Sequence, residues 1–152
     1  MTTFTSRETI RDAVYALFSS YAPATFKAVY NNWPDVGQAK GQSPILMITS
    51  SGTGQGMAGL NTNPTVFRLN LTVLVKVSDP SDSSFTRATA MDKIDTLDAL
   101  VRQVIRDGVG NANWDNIAFE SGITQTENII FEGLPYMVEN HPILVHLQNG
   151  AI

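Results

Sequence analysis

Few residues in this chain could do chemistry. Gly54, Gly56 and Gly59 spell G-x-G-x-x-G, the spacing that lets a strand-to-helix turn approach a dinucleotide pyrophosphate. That chemistry requires a helix directly after the turn, whose N-terminal amides hold the anion. Asn63-Pro64 and a strand-like pattern follow instead, so the segment reads as a hairpin tip or partner-binding loop. No Lys-Ser/Thr pair follows a glycine, so it is not a phosphate-cradling loop of the Walker type. His141 and His146 are the only histidines. Five apart on a strand, they face opposite sides and cannot chelate one metal unless a bulge restores the register. With no cysteine in the chain, carboxylates would have to complete a metal shell, and Glu139 is the only one nearby. No G-x-S-x-G elbow presents a nucleophile. Asp92, Asp95 and Asp98 recur every third residue. Such triplets can meet a divalent cation, but near a helix start they read as surface charge complementing the dipole. Glu120, Glu127 and Glu132 are scattered over strands and turns and form no acid/base pair. The expectation is a protein that is not an enzyme, with no catalytic residue, cofactor or metal.

The elements that must position these residues are legible in the spacing. Thr5 and Glu8 fit a capping box, followed by Ile10, Ala13, Val14, Leu17, Phe18 and Tyr21 at helical intervals and closed by Pro23. A short strand at Phe26 to Tyr30 leads into a polar turn through Trp33 and Pro34. Pro44 to Ser50 is apolar on both faces, which marks a central strand. Ser51 to Leu60 holds four glycines and reads as a flexible loop or hairpin tip. Phe67, Leu69, Leu71, Val73, Val75 and Val77 alternate with Arg68, Asn70, Thr72, Leu74 and Lys76, the period of a long strand with one buried and one mostly polar face. A Ser/Asp/Pro loop from Asp79 to Arg87 precedes a second helix, which starts near Phe85 or Ala88 and ends at Asp107. Met91, Ile94, Leu97, Val101, Val104 and Ile105 form its apolar face, Asp98 pairs with Arg102 at i,i+4, and Gly108 stops it. Three strands follow: Trp114 to Phe119, Gln125 to Phe131 and Tyr136 to Leu147, with a bulge or kink expected at Asn140-His141-Pro142. Trp33 and Trp114 read as anchors at the edge of the core. The order α-β-β-β-α-β-β-β predicts one α+β domain over residues 1–152, a mostly antiparallel β-sheet with two amphipathic helices packed on it.

Composition narrows the class. The 152 residues carry 10 Lys+Arg and 14 Asp+Glu, a net charge of −4. About 150 residues suffice for a self-supporting core. Cysteine-free chains cannot build disulfide scaffolds, thiolate zinc sites or thiol nucleophiles. The charged fraction is 16% against about 25% in typical domains, and Thr, Ser and Asn fill the difference. Such a surface suits a subunit packed against other subunits. Mild acidity argues against a phosphate-backbone binder. No apolar run approaches the ~20 residues of a membrane span, and the first residues lack a signal pattern, so cytoplasmic synthesis and no membrane contact are expected.

On these features the chain resembles the tail terminator (tail completion, minor tail gpU-like) proteins of long-tailed phages, over nearly its whole length. The likeness rests on the opening amphipathic helix, the strand Ser43 to Ser51 after a Trp-Pro turn, the alternating strand Phe67 to Val77, the helix Met91 to Asp107, and the closing strand with Tyr136 to Glu139 and Pro142 to Leu147. It implies a structural virion protein, assembled in the host cytoplasm, that forms a homo-oligomeric, hexameric ring on the head-proximal end of the tail tube. That ring would end tube polymerisation and dock to the head or neck connector, with DNA passing through the lumen unread. The expected interface residues are Gly52, Gly54, Gln55, Gly56 and Met57 on the glycine loop, Arg68 and Lys76 on the long strand's polar face, and Phe85 and Arg87 on the loop after it. Another head–tail joining protein (head completion or neck) is the nearest alternative. A small α+β ligand-binding domain or enzyme using the glycine loop is the remote one.

Overall fold

The computed structural model describes residues 4–56 and 63–148. Two helices and six strands form the α+β domain that the spacing predicts. Helix α1 spans Arg7–Ser19 and buries Ile10, Val14 and Phe18. Its cap is Ser6, whose side chain accepts from the Thr9 amide, one residue beyond the expected Thr5. Ser6 is the residue that holds the extended backbone an N-cap needs.

The strands are β1 (Ala28–Asn31), β2 (Ile45–Gln55), β3 (Thr65–Lys76), β4 (Asn116–Phe119), β5 (Thr126–Phe131) and β6 (Leu134–Leu147). Their order is β1-β2-β3-β6-β4, with β5 also paired to β6. Only β1 and β2 are parallel; the other pairs are antiparallel. Helix α2 (Arg87–Asp107) starts in a capping box of Thr86 and Thr89 and buries Ala90, Ile94, Leu97, Val101, Val104 and Ile105. Met91, expected on that face, is exposed. Trp114 is buried, and its indole N–H donates to the Gly108 carbonyl at 2.9 Å. Trp33 is instead 66% exposed and anchors nothing in the core.

Both helices lie on one face of the sheet. Ile10, Val14 and Phe18 share a cluster with Leu97 and Val101 and with Phe67, Leu69, Leu71, Val73 and Val75 of β3. A smaller cluster of Ala39, Ile45, Met47, Leu74, Tyr136 and Val138 fills the opposite face, where the segment between β1 and β2 lies over the strands. This explains why Ile45 to Ile48 are fully buried although they alternate sides. It also corrects the expected polar face of β3: from Val73 to Lys76 both faces are covered.

Two further expectations change. The segment Ser51–Gln55 is not loop; it continues β2 and pairs with β3, with a register irregularity between Ser50 and Gly52. Nor is there a bulge at Pro142, since β6 runs in unbroken register with β3 from Tyr136 to Leu147. Pro142 offers its carbonyl to the Glu120 amide, so its missing N–H falls on the outer side of β6 and costs no bond to β3. No helix among the described residues is long and apolar enough to cross a membrane.

Candidate functional site

The outer edge of β6 has a seam. Strand β5 pairs with it up to Glu139, and β4 takes over at Ile143. Between them Asn140, His141 and Pro142 face the connection between β4 and β5. An open cleft of about 530 Å³ lies here, lined among others by Asp98, Arg102, Glu120, Gln125, Asn140 and His141.

Strand alternation decides what reaches the cleft floor. Glu139 and His141 oppose Val73 and Leu71 of β3, so both side chains lie on the helix-covered face. There Asp98 of α2 meets them. One ligand-type atom from each of Asp98, Glu139 and His141 lies within 4.8 Å of the others. His141 is only 2% exposed; its Nε2 is 3.0 Å from Glu139 Oε1 and its Nδ1 3.8 Å from Asp98 Oδ1. The 3.0 Å contact is not a hydrogen bond, because the carboxylate oxygen lies off the N–H direction, and Nε2 has no hydrogen-bond partner. The ring of Phe119 packs 6.1 Å away, centroid to centroid.

The remaining carboxylate oxygens are held from outside. Arg102 engages Asp98 Oδ2 through Nε at 3.1 Å and Nη2 at 2.9 Å. Thr126 donates to Glu139 Oε2 at 3.1 Å. Burial raises the Glu139 carboxyl above its ordinary range, and the acidic neighbours Asp98 and Asp95 add to the rise against the opposing Thr126 hydrogen bond. Burial lowers His141, with Arg102 acting in the same sense and Asp98 against it. At and beneath the cleft an imidazole therefore lies beside carboxylate oxygens of Asp98 and Glu139, a donor set suited to a cation.

The spacing Asp92-Asp95-Asp98 contributes only its last member. Glu139 and His141 share a face by alternation, a signal present in the sequence. The arrival of Asp98 depends on how α2 crosses the sheet, which no local pattern encodes.

The residues expected at an interface are dispersed. Gly52, Gly54 and Gln55 are in the outer part of β2, paired with Arg68, Val66 and Thr65. The Gly56 amide donates to the Pro64 carbonyl at 2.9 Å, and Met57 lies outside the described residues. The next described element is β3, so the glycine spacing lacks the helix that a dinucleotide site needs. Arg68 is partly exposed but already engaged with Glu120 at 2.6 Å. Lys76 corrects the expectation: it is 4% exposed, with Nζ bonded to Asp79 at 2.8 Å and to the Gly41 carbonyl at 2.9 Å. It also sits 4.1 Å over the Phe85 ring. With two of its three N–H donors bonded within the chain, this buried lysine is not presented to a neighbouring subunit. Phe85 is half-buried by this contact, and Arg87 is exposed in the first turn of α2.

An open, exposed edge lies elsewhere, on β5. Along β5 the residues Thr126 to Ile130 are all exposed. Ile130 is 72% and Ile123 93% exposed, and among the described residues β5 pairs only with β6. No family model matches the chain, and no curated protein matches it either.

Proposed function

We propose that this chain is a ring-forming structural subunit of a phage tail, a tail terminator, with ring contacts made along β5. The observation that carries the reading is that edge. Exposed strands with apolar residues template pairing with another chain, and stable monomers usually cover or charge them. Here one flank of β5 is unpaired among the described residues, with Ile129 and Ile130 exposed on the strand and Ile123 exposed just before it. The same edge in a second copy supplies a partner of matching chemistry.

Topology supports two further docking faces. The β2–β3 hairpin tip and the Asp79–Arg87 loop lie at opposite ends of β3, which spans roughly 37 Å at ~3.4 Å per residue. With neighbours joined laterally, one end would meet the tail tube and the other the head or neck connector. DNA would pass through the lumen without specific binding, in keeping with the net charge of −4.

Native mass settles the question, measured by light scattering over a concentration series with and without tail-tube protein. A hexamer, alone or on adding tube protein, is the expected result. A dodecamer would favour a connector instead. A strict monomer indifferent to both tube and connector proteins would sink the reading.

A further inference from the structure

We propose that Asp98, Glu139 and His141 bind one divalent first-row transition ion of the zinc class, reached through the cleft between β4 and β5. The site is independent of the assembly reading and is built from the polar bonds already described.

Each carboxylate has one oxygen occupied from outside the cluster and one turned inward. Arg102 holds Asp98 Oδ2 and leaves Oδ1 facing the imidazole; Thr126 holds Glu139 Oε2 and leaves Oε1 facing it. Outer donors that fix the free lone pairs of ligating carboxylates are what metal centres use to set ligand orientation. The His141 ring lies between them, with Nδ1 towards Asp98 Oδ1 and, towards Glu139 Oε1, its Nε2, a buried ring nitrogen with no hydrogen bond. A buried polar atom left unbonded is costly, and this one faces acceptors. A cation satisfies all three groups at once.

The donor set selects the ion. One imidazole with two carboxylates suits zinc and its neighbours better than magnesium, which prefers oxygen ligands and retains several waters. Three protein ligands leave a fourth position for water. With a single imidazole, affinity should depend on every ligand.

The chain's two histidines make the test clean. Untagged, chelator-treated full-length protein, labelled with ¹⁵N in its histidine rings, is titrated with Zn²⁺ alone and separately with Mg²⁺. Ring nitrogen resonances of His141 are expected to move at one equivalent of Zn²⁺ while those of His146 stay, with a rise in Tm that Mg²⁺ does not reproduce. Glu139→Gln keeps the shape and the Thr126 contact, and should weaken Zn²⁺ binding by about tenfold or more. Several outcomes overturn the proposal: His141 unmoved at millimolar Zn²⁺, a response at His146 alone, equal effects of Mg²⁺, or unchanged affinity in Glu139→Gln. The wild-type titration decides even if His141→Ala fails to fold.

Discussion

Two buried ionisable residues have opposite relations to stability. Glu139 is a carboxyl enclosed beside Asp98, so its charge opposes folding. Glu139→Gln should therefore raise the Tm of the metal-free protein, by roughly 2–4 °C if the gain is about 1 kcal/mol; calorimetry after chelation measures this. Tyr136 is a stabilising group while protonated, donating to the Gln42 carbonyl at 2.7 Å. Burial first, then Asp79 and Glu132, push its hydroxyl up to about 12. Because the folded value lies above the ordinary 10.0, this contribution is intact below pH 10 and is lost as pH rises through about 12. A Tyr136→Phe variant should lose that segment of the alkaline stability curve, read by denaturant titration between those limits. Lys76 shows how a residue's role turns on context: alternation correctly puts it opposite Val75, but the Gly41 and Asp79 contacts enclose that face.

Helix α2 was readable almost to the residue, because its signals are local. The apolar spacing from Ile94 to Ile105, the Asp98–Arg102 pair and the Gly108 stop all act within a few positions of one another, while the capping box of Thr86 and Thr89 fixes the start that the spacing put near Phe85 or Ala88. Thr86→Ala should cost about 1 kcal/mol, since it removes the oxygen that accepts the Thr89 amide; urea unfolding checks it. Strand β6 is the contrasting case. Its proline suggests a bulge or kink, yet the strand keeps unbroken register with β3, and the proline coincides with the change of outer partner from β5 to β4. That partner change is non-local, and it also creates the cleft. The glycine segment was misread for a related reason: glycine weakens strands, but ten residue pairs align β2 with β3 and carry the strand through Gly52 and Gly54.

At the scale of the whole molecule, the assembly reading rests on β5, which sequence reasoning did not single out. Ile130→Lys places a charge on an exposed edge position. It should leave Tm within the small range of surface substitutions, about 0.5 kcal/mol, and reduce the ring to smaller species by light scattering. Unaltered oligomers would remove β5 from the interface. A deletion of the glycine segment would be a poor test of the same idea, because Gly52, Gly54 and Gln55 belong to the sheet ladder and their loss costs strand pairing as well.

Composition and periodicity by themselves determined the α+β class, the helix positions, the buried face of β3 and the absence of thiol chemistry. All of these follow from spacing of two or 3.6 residues along one segment, a property that survives without knowledge of neighbours. Tertiary structure alone decided that Lys76 is enclosed, that β5 is an exposed edge, and that Asp98 stands against Glu139 and His141. Each of those depends on which segments, some forty residues apart in the chain for Asp98 and Glu139, are brought side by side by burying a common apolar face.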